Sequence, residues 1–108
     1  MLKKKYRLPA NVRLGKAETI SAKYFILKTA SSSLPYPRFA FVISKKVDRR
    51  AVIRNRIKRE MASSIQRLID KVSPGKDMVF ILKRSAVESM PLLARSVKDV
   101  FLQEGLSK

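Results

Sequence analysis

The stretch Ser44-Lys45-Lys46-Val47-Asp48-Arg49-Arg50-Ala51-Val52-Ile53-Arg54-Asn55-Arg56-Ile57-Lys58-Arg59, continuing to Val72, decides how this chain folds. Apolar residues recur at Ile53, Ile57, Met61, Ile65, Leu68, Ile69 and Val72, which is helical spacing. The pattern predicts one long helix from about Arg49 to Val72. Asp48 stands at the N-cap position, and Ser73-Pro74-Gly75 ends the run. With Ile53 set at zero on the helical wheel, Ile57 and Met61 fall near ~40° and ~80°. Arg54, Lys58, Asn55, Arg59 and Arg56 spread from roughly 100° to roughly 300°. The first half of the helix therefore touches the protein along a narrow seam and turns charge outward on more than one side.

Strand signals flank this helix. Ala22 to Ala30 is rich in aromatic and aliphatic residues and predicts a strand. Ser31 to Pro37 clusters Ser and Pro and predicts a loop. In Arg38 to Ser44, Phe39, Phe41 and Ile43 alternate with Ala40 and Val42, a second strand. Asp77 to Arg84 is nearly all apolar, as expected of a strand buried on both faces. A closing helix is expected from Ser89 as N-cap, with Pro91 in its first turn, to about Glu104, where Gly105 stops it. Leu92, Leu93, Val97, Val100 and Phe101 would form its apolar face. Met61, Met78 and Met90 are expected in or near the core. Pro9 to Lys16 carries a weak helix signal, and residues 1–8 resemble a basic tail. These elements describe a single domain of α+β class, a two-layer sandwich with helices on one sheet face.

Composition narrows the function. The chain has 108 residues, with 25 Lys+Arg against 8 Asp+Glu, and a formal net charge of +17. The absence of Cys and His excludes Cys/His zinc sites, Cys nucleophiles, His-based triads and disulfides. No apolar run reaches the ~20 residues of a bilayer span. The basic N-terminus lacks the apolar segment of a secretory signal. Residues 1–59 hold 17 basic and 2 acidic side chains, and residues 60–108 hold 8 and 6. A polyanion is the expected partner of the first half. The densest run is Lys45, Lys46, Arg49, Arg50, Arg54, Arg56, Lys58 and Arg59, with Asp48 as its only acid. Guanidinium forks match phosphate, and Asn55 adds a donor and an acceptor between two of them.

Ser44-Lys45-Lys46-Val47 followed by Ala51-Val52-Ile53-Arg54-Asn55-Arg56-Ile57-Lys58-Arg59 resembles the signature of the bacterial ribonuclease P protein family. The likeness extends to Arg7-Leu8, Phe25-Ile26-Leu27, Phe39 to Ile43 and Asp77 to Lys83. It implies an αβββαβα sandwich like the second domain of ribosomal protein S5, with a four-stranded sheet and a left-handed crossover into the long basic helix. It implies a cytoplasmic protein that binds the ribonuclease P RNA and the 5′ leader of precursor tRNA. The RNA and its Mg2+ ions would perform the cleavage, and this chain would supply no catalytic or metal-ligating residue. Carried over by position, Lys45, Lys46, Arg54, Asn55, Arg56, Lys58 and Arg59 would contact RNA, and the density of the charge run adds Arg49 and Arg50 as candidates. Tyr24, Lys28, Phe39 and Phe41 are candidates for a leader cleft. No membrane and no obligate protein partner is expected.

The chain departs from the family pattern in three places. Asn11 to Ile20 holds no aromatic residue, where that family often has spaced Phe residues. Lys28 stands where an aromatic often follows the Phe-x-Leu of the strand. Ala62-Ser63 replaces a common Arg-Glu pair. Four other classes are weighed against this reading. A self-sufficient metal nuclease needs clustered carboxylates, and the eight acids are scattered. A ribosomal-type structural RNA-binding protein would share the composition and differ only in the motif. A DNA-binding module would need helix-turn-helix spacing, which is missing. A membrane-surface peptide would not spend its apolar residues on a core.

Overall fold

The computed structural model describes residues 2–9, 14 and 16–106. Four strands and two helices follow in the order β1 (Glu18–Ser21), β2 (Phe25–Ser31), β3 (Arg38–Val42), α1 (Ala51–Leu68), β4 (Lys76–Leu82) and α2 (Leu93–Gln103). The sheet order is β1-β2-β4-β3. β1 pairs with β2 and β2 with β4 in antiparallel fashion, whereas β3 and β4 are parallel. A parallel pair cannot be joined by a hairpin, so α1 serves as the crossover between β3 and β4. Consequently α1 runs opposite to β3, and its first turns lie near the end of that strand.

Alternation along the strands makes the two-layer core. Phe25, Leu27 and Thr29 of β2 are buried, as are Phe39 of β3 and Met78, Phe80 and Leu82 of β4. Phe80 is central. Its ring lies 5.2 Å from Phe25, 5.8 Å from Phe41 and 6.2 Å from Phe101, centroid to centroid. α1 contributes Ile57, Met61 and Ile65, and α2 contributes Leu93, Val97, Val100 and Phe101. Ile53 is only half-buried, so the predicted seam becomes continuous core from Ile57 onward.

Several expectations need correction. β4 is not buried on both faces: Val79 and Ile81 are half-buried, because the sheet face opposite the helices is partly open. β1 carried no strand signal of its own. It is an edge strand with Glu18, Thr19 and Ser21 exposed, so no apolar alternation marks it. α1 begins at Ala51, and Ile69–Lys71 beyond it form a 3-10 turn. Asp48 does not cap the helix by the usual bond. Its Oδ1 accepts from the Arg50 backbone N–H at 2.8 Å, two residues on, which closes an Asx-type turn just before the helix. Ser89 makes no side-chain cap either. Met90–Leu92 form a 3-10 turn containing Pro91, and α2 starts only at Leu93, leaving Leu92 exposed. Gly105 does terminate α2, at φ 67°, with the Leu106 N–H bonded back to the Phe101 carbonyl. Gly75, at φ 74°, passes so close to the β2–β3 loop that a Cβ there would meet the Ser32 carbonyl oxygen at 3.2 Å.

Residues 2–8 are no free tail. Leu2 and Leu8 are buried, Lys4–Tyr6 form a 3-10 turn, and Arg7 bridges Phe39 in parallel register. The Leu8 N–H donates to the Phe39 carbonyl at 2.8 Å, so the segment lies along the outer edge of β3. The expected short helix at Pro9 to Lys16 falls largely on residues 10–13 and 15, outside the described residues.

Candidate nucleic-acid interface

Because β3 and β4 are parallel, the segments that leave them emerge at the same sheet edge. Lys45, Lys46 and Arg49, from the loop after β3, meet Arg84, which follows β4. With Val47 and Asp48 they line an open recess of ≈690 Å³. Arg84 Nε donates to the Lys46 carbonyl at 3.4 Å. Asp48 contributes little negative charge to a ligand, because Arg50 already occupies it. The Arg50 guanidinium donates to both Asp48 oxygens, at 3.0 and 2.8 Å. These bonds, with the Arg50 backbone N–H, hold the Asp48 carboxyl down at about 2. The same pairing raises Arg50 above the ordinary arginine value.

Arg54 has an inward role that its sequence position does not announce. Its Nη1 donates to the carbonyls of Asp48 at 3.0 Å and Arg49 at 2.8 Å. One arm of the fork thus staples the loop to the helix. Asn55, Lys58 and Arg59 are exposed on α1 and form one wall of a second depression. Its floor and far wall are Phe39, Ala40, Phe41 and Val42 of β3 together with Leu2, Arg7, Leu8 and Pro9. This groove, ≈690 Å³ in volume, is apolar below and basic along its rim. Arg56 is exposed on α1 and lines neither depression.

The four candidate cleft residues separate. Phe39 and Phe41 line the groove, although Phe39 is buried and offers it little surface. Tyr24 is buried and stands apart from it, with Lys23 Nζ over its ring at 5.6 Å. Lys28 is exposed on the open sheet face, in register with Val79 and Thr19. Sequence reasoning missed Arg84 and the wall formed by Leu2, Arg7, Leu8 and Pro9. Arg84 joins the recess through the parallel pairing of β3 and β4, which no local pattern reveals. For the N-terminal wall a signal did exist: Leu2 and Leu8 are apolar residues spaced within a basic run.

Among the described residues, no three acidic side chains cluster as a metal site, and no helix is long and apolar enough to cross a membrane. Asp77, a strand-entry residue by sequence, is engaged by both arms of Arg38, at 2.9 and 2.8 Å.

Residues 2–103 match the sequence profile of the family described as Ribonuclease P. The chain belongs to the ribonuclease P protein family. The ribonuclease P protein component of Bacillus cereus (strain 03BB102) is 31% identical over 114 residues, covering 99% of this chain and 97% of that protein. That of Geobacillus kaustophilus is 34% identical over 92 residues, covering 81% and 75%. That of Nostoc punctiforme is 45% identical over 67 residues, or 62% of this chain, and the match spans less than half of its length, 44%. Among solved structures, the Staphylococcus aureus RNase P protein superposes with a TM-score of 0.85 at 22% identity, covering 95% of this chain and 98% of that one. The Thermotoga maritima RNase P protein gives 0.72 at 19% identity, covering 79% and 81%. The four-stranded mixed sheet with two helices is thus the α+β fold of ribonuclease P proteins.

Proposed function

We propose that this chain is the protein subunit of a ribonuclease P ribonucleoprotein. It binds the catalytic RNA through the recess of Lys45, Lys46, Arg49 and Arg84 and through the exposed face of Arg56, Lys58 and Arg59. It holds the single-stranded 5′ leader of precursor tRNA in the groove beside β3, and so assists endonucleolytic removal of the leader in the bacterial cytoplasm. The observation that carries this reading is the convergence of the family's motif residues. Asn55, Lys58 and Arg59 wall a groove floored by β3, and the Lys45-Lys46 loop follows that strand. The apolar floor suits bases and the basic rim suits phosphates.

The chemistry is assigned to the RNA and its Mg2+ ions. Asp48 and Asp77 are each bound by an arginine, and among the described residues no three acidic side chains cluster, so this donor set does not fit a protein-held metal. The role of this chain is to supply positive charge in a fixed geometry. That would lower the magnesium needed to fold and load the RNA.

The test is reconstitution with ribonuclease P RNA from the same organism, at a magnesium level where the RNA alone is slow. The protein should stimulate leader removal strongly, and Lys58→Ala/Arg59→Ala should lose most of that stimulation while retaining its fold. Tight binding to structured RNA without stimulation would instead favour a ribosomal-type structural role.

A further inference from the structure

Two tyrosines lie close in the chain to residues that bound the groove. The far wall of the groove, the N-terminal segment, runs parallel to β3 through the Arg7–Phe39 bridge. One residue before Arg7 is Tyr6, and two residues before the start of β3 is Tyr36. Their rings meet edge to face, with centroids 6.1 Å apart and planes at 87°. Lys5 Nζ lies over both rings, 5.0 Å from the Tyr6 centroid and 5.5 Å from that of Tyr36. Both tyrosines keep solvent-exposed surface. Tyr36 sits in Pro35-Tyr36-Pro37, so its backbone is restricted, and the edge-to-face contact with Tyr6 orients its ring. α1 runs opposite to β3, so the Lys45-Lys46 recess lies at one end of the groove and this aromatic pair at the other. The floor from Phe39 to Val42 separates them by only ~10 Å of strand.

We propose that Tyr6 and Tyr36, with Lys5, form a stacking subsite for an unpaired base of the single-stranded RNA held in the groove. The assignment rests on the function proposed above and adds the place where the strand leaves the protein. Tyr6 packs against the core and so helps to pin the N-terminal segment, but pinning alone requires no cation. Here an ammonium lies over two aromatic faces beside exposed Lys3 and Lys4. An incoming base takes the place of the ammonium on a ring, and the displaced Lys5 remains within reach of the phosphate of that nucleotide. Every base has a π-face, so the subsite tolerates any sequence and reads the length of the strand.

The chain has three tyrosines and no tryptophan, and the third tyrosine, Tyr24, is buried. Tyrosine emission of Tyr24→Phe therefore comes from this pair alone. Titration with a single-stranded oligoadenylate should quench tyrosine emission in the wild type and in Tyr24→Phe alike. Absence of quenching at saturating oligonucleotide would overturn the proposal. In the reconstituted holoenzyme, precursors with leaders of increasing length should gain affinity once the leader reaches the pair. Tyr6→Leu/Tyr36→Leu should remove about tenfold of affinity for long leaders and none for the shortest. Tyr6→Phe/Tyr36→Phe should retain it. Equal loss at every leader length would show that the pair only supports the fold, and the proposal would fail. Failure of the ribonuclease P reading is seen separately, as absence of stimulation even with short-leader precursors. The quenching measurement needs neither the holoenzyme nor a leucine variant that folds.

Discussion

Arg54 and Arg56 are two residues apart in one motif, yet the structure gives them different work. Arg54 Nη1 bonds two carbonyls of the loop before α1, whereas Arg56 is exposed and touches neither depression. Arg54→Ala should therefore cost about 1 kcal/mol of stability, because it removes two hydrogen bonds that hold the loop to the helix. Arg56→Ala should change stability by less than about 0.5 kcal/mol while still weakening RNA binding. Urea denaturation of the two variants separates these outcomes. From sequence, both side chains lie off the core seam and appear equally free to meet RNA. Wheel position told where the α carbon faces, but not that a long side chain would fold back onto the preceding loop. Asp48 offers a second residue-scale prediction. Its folded-state value near 2 lies below the ordinary 3.8, so its contribution is present above about 4 and is lost as pH falls from there towards 2. A carboxyl NMR titration should find its midpoint near 2 in the wild type and shifted up towards the ordinary value in Arg50→Ala.

At the scale of elements, Phe80 ties the layers together. β4 is a central strand, and this one ring contacts Phe25 of β2, Phe41 of β3 and Phe101 of α2. Phe80→Ala should lower unfolding stability by about 4 kcal/mol, since the cavity cannot close on three sides at once. Chemical denaturation monitored by circular dichroism measures it. Long apolar elements were legible in the sequence, with ends shifted by a few residues. Helix starts were less so. Asp48 and Ser89 have the right chemistry for caps, but neither side chain bonds a first-turn N–H of its helix, because a turn intervenes before each one. β1 was illegible from its own residues, since its pairing with β2 and not its side chains makes it a strand.

For the whole molecule, charge is the dominant property. A net +17 on 108 residues favours binding to a polyanion and opposes self-association. If the recess and the α1 face together engage six to ten phosphates, RNA affinity should fall by roughly 10³ or more between 50 and 200 mM salt. Filter binding across that range checks it, and a flat response would remove the basic surface as the interface. The exposed basic side chains of α1 and its preceding loop were legible as a binding surface because a run of like charge serves no core. Their partners Arg84, Arg7 and Pro9 were not, because they come from distant parts of the chain.

The sequence by itself determined the class of the fold, the long basic helix, the family and the excess of positive charge in its first half. Those properties are local: hydrophobic period, motif spacing and summed charge do not depend on what lies across the core. The tertiary structure decided the rest. Parallel pairing of β3 with β4 brought Arg84 to the Lys45-Lys46 loop, and the bridge from Arg7 to Phe39 turned a basic run into the wall of a groove. It also set Tyr6 against Tyr36, thirty residues away in the chain. Contacts of that range follow from strand order and register, which are settled only when the whole chain packs at once.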